Sequence, residues 1–168
     1  MATWRNLTAK DIEGLMRVAD AIHPGLPESS HVFTERIKLY PEGCLALEDM
    51  DGRICGYAIS HPIRHHQPPA LDALLKEVAS DADAYYIHDI AILPRFRGGG
   101  LAAECVNRLL EVASRSGFRV CCLVSVYGTE AFWARYRFVQ EQVEDHLLEK
   151  LRGYGDDATY LSRSNDQK

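Results

Sequence analysis

The sequence predicts a mixed α/β sheet with helices packed on both faces. Three observations carry this. Strand-like and helix-like runs alternate over the second half of the chain, which implies a right-handed crossover between parallel strands. In the first half Asp51-Gly52 is a strong hairpin turn between two strand-like runs, which implies antiparallel neighbours. The 168 residues, 46% of them hydrophobic, suffice for one domain with its own core and no disulfide or metal staple.

The elements are as follows, in chain order. Residues 3–6 form a short edge strand. Thr8-Ala9-Lys10-Asp11 resembles a capping box, and Ile12, Leu15, Met16, Ala19 and Ile22 then recur at helical spacing. Pro24-Gly25 ends that helix. A second helix over 29–39 carries Phe33, Ile37 and Tyr40 on one face, and Pro41-Glu42-Gly43 closes it. Strands over 44–48 and 53–60 make the hairpin. Pro62, Pro68 and Pro69 interrupt the next stretch, so 62–83 reads as an insertion with a short amphipathic helix through Leu71, Leu74, Leu75 and Val78. Residues 85–93 are the most apolar strand. The helix over 101–116 has Leu101, Cys105, Leu109 and Val112 on one stripe, with Gly117 as its cap. A buried strand over 119–126, a helix over 130–136 and strands over 138–148 and 158–162 complete the chain, with residues 163–168 frayed. The whole of 1–168 is expected to be a single domain.

Composition excludes several classes. A net charge of −5 argues against nucleic-acid binding, which needs a basic face. No apolar run reaches the ~18 residues of a membrane span, and the first residues do not lead into a signal-peptide core. The five cysteines form no CxxC pair and no zinc spacing, so they read as reduced, buried thiols in a cytoplasmic protein. The adjacent Cys121 and Cys122 should point to opposite faces of one strand.

The segment Arg97-Gly98-Gly99-Gly100-Leu101-Ala102 joins the most apolar strand to the clearest helix. Three successive glycines are costly there unless the backbone must be bare. Amides at a helix N-terminus carry partial positive charge and can grip an anion such as a pyrophosphate, with Arg95 and Arg97 adding charge. A GxxxxGK[ST] loop is absent, and the position is wrong for a dinucleotide-binding GxGxxG. The motif that fits is the (Q/R)xxGx(G/A) signature of the GCN5-related N-acetyltransferases, the GNAT superfamily, which this segment resembles. Upstream, Asp89-Ile90-Ala91-Ile92-Leu93-Pro94 resembles the strand that precedes this signature. Downstream, Ala131-Phe132-Trp133-Ala134-Arg135-Tyr136-Arg137-Phe138 is similar to the family's second CoA-contacting segment.

The resemblance implies a GNAT fold: a mostly antiparallel sheet in which the strands over 85–93 and 119–126 splay apart as a parallel pair. It implies acetyl-CoA as cosubstrate, entering that opening, with CoA as product. Backbone amides of Arg97, Gly98, Gly99, Gly100, Leu101 and Ala102 would hold the pyrophosphate. Main-chain groups of Ile92 and Leu93 would pair with the pantetheine arm, and Phe132 and Trp133 would stand near the thioester.

Acetyl transfer needs a neutral amine, a held carbonyl and a proton for the leaving thiolate. By period two, Tyr86, His88, Ile90 and Ile92 share one strand face and Asp89 takes the other. Arylalkylamine N-acetyltransferases of the family carry a catalytic histidine at the position matching His88, and other members place a glutamate near Tyr86. His88 is therefore the candidate base. The family's usual tyrosine acid is replaced by Trp133, which leaves Tyr127, Tyr136 or water. Arg137 replaces the usual glycine and suggests a different helix cap. His61, Arg64, His65 and His66 make a basic cluster in which Pro62 spoils any helical spacing, so no metal site is expected. Cys121 and Cys122 have no base beside them, so direct attack in a ternary complex is expected. The acceptor is a small-molecule amine or a peptide or protein amine, chosen by the 62–83 insertion and the 21–30 loop with His23, Glu28 and His31. The strand over 138–148 could support a homodimer. The alternative is a non-catalytic acyl-CoA-binding module.

Overall fold

The computed structural model describes residues 1–165. Strands β1 (Thr3–Asn6), β2 (Cys44–Glu48), β3 (Ile54–Ile63), β4 (Ala84–Ile92), β5 (Val120–Ser125), β6 (Val139–Gln140) and β7 (Thr159–Ser164) form one sheet in the order β1-β2-β3-β4-β5-β7-β6. Every neighbouring pair is antiparallel except β4–β5. Helices are α1 (Ile12–Ile22), α2 (Ser30–Leu39), α3 (Leu101–Arg115), α4 (Glu130–Ala134) and α5 (Asp145–Arg152).

The sheet divides the core. On one face Leu15, Val18 and Phe33 of α1 and α2 bury Tyr57 and Ala91. On the other, Cys105, Val106, Leu109 and Ala113 of α3 cover Ala58, Tyr85, Ile87 and Cys121. Leu147 and Leu151 of α5 pack on Tyr86, Cys122 and Tyr160. Cys121 and Cys122 thus face opposite ways, and all five thiols are free and buried. Among the described residues no helix is long and apolar enough to cross a membrane.

Four expectations are corrected. β3 does not stop at Ser60 but runs through Pro62 to Ile63. Beyond Ile59 it has lost β2 and pairs with β4 alone, and such a half-open stretch tolerates proline. Residues 64–83 contain no helix. Asp72 and Lys76 take left-handed backbone, and the amides of Leu75 and Lys76 donate to the Glu35 carboxylate of α2 (2.6 and 3.0 Å) instead of to a helical ladder. The predicted strand over 138–148 is a two-residue strand followed by α5, whose Leu147 and Leu151 are one helical turn apart. The edge offered for homodimer pairing is correspondingly short. Finally, Arg163 and Ser164 are not frayed: Ser164 pairs with Val120, and Asn165 N donates to Arg119 O at 2.7 Å. The remainder of the predicted frayed segment, 166–168, lies outside the described residues.

Arg137 also departs from expectation. It adopts φ 69°, so the left-handed cap is kept with an arginine in the glycine's place. At the other end of the domain, Gly43 is required by close approach. A Cβ there would stand 2.2 Å from the Ser60 carbonyl oxygen and 2.7 Å from the Tyr85 hydroxyl. Gly43→Ala is therefore expected to lose about 1–3 kcal/mol in urea unfolding. Gly25→Ala, which meets nothing within 4 Å, should change stability by less than about 0.5 kcal/mol. Equal losses from the two would contradict this packing.

Candidate active site

The site begins where two strands part. β4 and β5 pair only at Tyr85↔Cys121, Tyr86↔Cys122 and Ile87↔Leu123. β4 then continues along β3 to Ile92, and β5 follows β7 to Ser125. Between them lies a cleft of about 440 Å³. Ile90, Ile92, Val124 and Val126 form its apolar walls, and Phe132 and Trp133 stand at its side.

One end of the cleft is the glycine-rich turn, reached through Arg97 and Ala102. Gly98 and Gly100 have φ 87° and 83°, a backbone that other residues adopt only under strain. No neighbour lies within 4 Å of a Cβ placed at Gly98, Gly99 or Gly100, so the turn is open as well as bare. Helical bonding starts only with Glu104 N donating to Gly100 O at 3.0 Å, which leaves the earlier amides for an anion. The start of α3 is pinned by Trp4 Nε1 donating to Leu101 O at 2.9 Å. Arg97 Nε donates to Ile92 O at 2.8 Å, and Leu93 N donates to Cys55 O at 2.9 Å. The Ile92 carbonyl keeps a second lone pair for a ligand amide.

The alternation expected along β4 is broken. Ile59 pairs with Asp89 but Ser60 pairs with Ile87, so His88 is the extra residue of a β-bulge. The bulge turns His88 and Asp89 to the same face, toward α1, and sends Ile90 and Ile92 to the α3 face. Asp89 is consequently not a residue of the far side. Its Oδ1 lies 2.9 Å from His23 Nε2, and Tyr57 donates its hydroxyl to Oδ2 at 2.5 Å. His23 Nδ1 is 3.1 Å from the Tyr127 hydroxyl, with the two rings stacked. Burial pushes the Asp89 carboxyl up, but the hydrogen bond and charge of His23 outweigh it and hold the group below the usual range. Burial pushes His23 down, and the Asp89 bond and charge overcome that, leaving the imidazole above its ordinary value. With Asp89 ionised, Nε2 is the protonated nitrogen and the Nδ1 lone pair faces Tyr127.

His88 also reaches the cleft, though its side chain is only 2% exposed. Nε2 lies 2.7 Å from Glu28 Oε1, and Nδ1 is buried with no partner among the described residues. Glu28 is held in turn by the insertion: Asp72 N donates to Glu28 Oε2 at 3.0 Å, and Ser29 N donates to Asp72 Oδ1 at 2.7 Å. The 21–30 loop and the insertion thus interlock over a small hollow walled by Glu28, Leu71, His88, Asp89 and Tyr154. Tyr86 is fully buried and lines neither space. Tyr136 packs on Phe132 outside the cleft. Tyr127 is 53% exposed, takes left-handed backbone (φ 57°) and lines the cleft. Trp133 is 9% exposed and set edge-on against Phe138.

The structure therefore brings His88, Tyr127, Ile92, Arg97, Ala102, Phe132 and Trp133 together and leaves Tyr86 out. Sequence reasoning missed the His23–Asp89 pair as a unit. Both residues were visible, but the bulge that turns Asp89 toward α1 leaves no trace in a period-two pattern.

Comparison with known proteins agrees with this architecture. The profile described as "Acetyltransferase (GNAT) family" matches residues 12–138. No curated protein matches the chain in sequence. The loading GNATL domain of CurA from Lyngbya majuscula superposes with a TM-score of 0.82 at 14% identity, covering 100% of both chains. Ard1 from Thermoplasma volcanium gives 0.73 at 17% identity, covering 97% of each. Naa50 from Arabidopsis thaliana, in complex with the bisubstrate analogue CoA-Ac-MVNAL, gives 0.71 at 14% identity, covering 97% of this chain and 98% of the other. At such identities the likeness is one of fold. With three-quarters of its length matched by the family profile, the chain belongs to the acetyltransferase (GNAT) family.

Proposed function

We propose that the protein is an acetyl-CoA-dependent N-acetyltransferase acting on a small primary amine. One observation carries the reading: the opening between β4 and β5 runs from the bare turn at Gly98, Gly99 and Gly100 to a His–Asp pair on its wall. Amides of residues 98–102 would bind the pyrophosphate; the Arg97 amide, expected to join them, closes the preceding turn by donating to Pro94 O at 3.1 Å. The open edge of β4 at Ile92 would pair with the pantetheine, whereas Leu93, expected to share that role, has its amide on Cys55 O of β3 and its carbonyl on Phe96 N. Phe132 and Trp133 would pack on the thioester end. That thioester supplies the acetyl group and a sulfur leaving group.

His23 is the base in this reading, in place of His88. The acceptor amine loses one proton to solvent and arrives neutral. As its nitrogen bonds to the carbonyl carbon and the carbon–sulfur bond breaks, His23 Nδ1 takes the second proton. The Tyr127 hydroxyl delivers a proton to the sulfur, and His23 Nδ1, 3.1 Å away, passes the amine's proton to the phenolate left behind, so neither the products nor the pair keep a charge. Asp89 holds the imidazole in the required tautomer. Glu28, with His88, lines the acceptor end, where its charge would draw in the ammonium form before that first proton is lost. The interlock of Asp72 with Glu28 keeps that end narrow, which favours a small acceptor over a peptide chain.

A second reading has one observation in its favour. Trp133 occupies the place of the family's usual tyrosine acid and is buried, as a non-catalytic acyl-CoA-binding module would allow. Thiol release from acetyl-CoA against a panel of small amines and peptides separates the two. Turnover on a small amine supports the enzyme, and tight CoA binding with no turnover on any member supports the module.

His23→Gln should lower kcat/KM about 10²-fold or more, whereas His88→Gln, which keeps a hydrogen bond to Glu28, should lower it less than about tenfold. The reverse order returns the base to His88. Neutral His23 is the active form, so kcat/KM should rise with pH through a midpoint above the ordinary histidine value of about 6.5. Asp89→Asn removes the anion that favours the imidazolium, so its midpoint should move to lower pH; an unmoved midpoint would exclude His23. Gly98→Ala with Gly100→Ala strains both left-handed positions and should weaken CoA binding about tenfold or more, read by calorimetry.

A further inference from the structure

Outside the cleft, three side chains far apart in sequence converge on one point. β3 ends at Ile63, and the chain turns through His65 and His66. Neighbouring residues of an extended chain point to opposite sides. Here His66 takes φ 69°, and the two imidazoles lie stacked, 3.7 Å between centroids and 20° apart. A left-handed non-glycine residue costs about 1 kcal/mol or more and calls for a reason.

The reason lies opposite the rings. Glu141, just past β6, presents Oε1 2.9 Å from His66 Nε2 and Oε2 3.4 Å from His65 Nε2. At 3.4 Å the second contact is a poor hydrogen bond, and among the described residues Oε2 is buried with no other partner; the same carboxylate also takes a side-chain bond from Ser162. Tyr160 of β7 fixes the ring that faces it. Its hydroxyl lies 3.1 Å from His66 N and 3.0 Å from His65 Nδ1, and it also meets the Cys122 thiol. With the hydroxyl proton turned to Cys122, the oxygen accepts from His66 N–H and from His65 Nδ1–H. His65 Nε2 then aims a lone pair at a carboxylate oxygen with nothing between them. A cation between the two would satisfy both.

We infer that His65, His66 and Glu141 form a binding site for a divalent transition-metal ion of the zinc class. Two imidazole nitrogens and one carboxylate are a zinc-type donor set, with a fourth position left for water. Ligand atoms about 2.1 Å from a tetrahedral ion stand about 3.4 Å apart, which is the His65–Glu141 separation. The three donors all lie within 4.8 Å of one another, so small rotations of the His66 ring complete the set. Tyr160 acts as the outer hydrogen-bond partner that zinc-bound histidines ordinarily have. The ion would tie the start of the 64–83 insertion to the strands of the C-terminal segment, and so brace the element that holds Glu28. Glu141 and Tyr160 lie beyond the residues matched by the family profile. The site stands independently of the acetyl-transfer reading.

The test is a Zn²⁺ titration of the whole chain in competition with a chromophoric chelator at neutral pH. One ion per chain is expected, at about micromolar affinity or tighter. His65→Ala and Glu141→Gln should each weaken it about tenfold or more. His66→Asn should do the same and is the decisive variant, because asparagine accepts left-handed backbone and the fold is not at risk. Zn²⁺ should raise the Tm of the wild type and leave that of His66→Asn unchanged. His146, on the rim of the same hollow and paired with Glu144, is the control: His146→Ala should bind as the wild type does. No Zn²⁺ uptake by the wild type, or equal uptake by His66→Asn and Glu141→Gln, overturns the site.

Discussion

The structure depends on a parting. β4 and β5 share three paired positions and then follow different partners, β4 along β3 and β5 along β7. Two antiparallel half-sheets are thereby joined by a short parallel seam. Past that seam each strand has one bare edge, and bare backbone groups must find partners. Arg97 provides one such repair by donating to the Ile92 carbonyl. The remaining edge is what an extended ligand with amide groups can use. The fold therefore makes its cleft out of unfinished hydrogen bonding and does not need a dedicated pocket-forming loop.

The bulge at His88 sets the chemistry of that cleft. By placing His88 and Asp89 on one face it puts two histidine–carboxylate pairs side by side, His23–Asp89 and His88–Glu28. A buried carboxylate without partners costs several kcal/mol. Asp89 is tolerated because His23 and Tyr57 both bond it. Glu28 is tolerated because His88 takes one oxygen and the Asp72 amide the other. The second set couples the 21–30 loop to the insertion, so the polar satisfaction of these groups and the shape of the hollow they wall are one arrangement. Left-handed backbone at Tyr127 adds local strain beside the same pair.

Much of this is legible in the sequence. The three glycines, the apolar strand before them and the amphipathic α3 are strong local signals, and each stands where the sequence places it. Local signals failed where long-range bonds decided the outcome. The insertion has helical leucine spacing, but its amides are taken by Glu35 and Glu28 from other elements. Val139 and Val143 alternate as a strand would, while the turn that starts α5 is set by Leu147 and Leu151 packing under Tyr86. The bulge is a property of the pairing of β3 with β4, and neither strand shows it alone. His66 meets Glu141 across 75 residues, with His65 beside it, a distance over which spacing rules say nothing.

The proposed function makes the parted strands and the glycine turn one binding groove for a CoA thioester. Amide NMR of the labelled protein during a CoA titration tests it most directly. The amides of residues 98–102 should shift together with those of 90–93, saturating at one ligand per chain. A fragment lacking the pyrophosphate should shift 90–93 and leave 98–102 still. If CoA instead moved resonances elsewhere, with both segments unchanged, the groove would not be the CoA site and the claim would be contradicted.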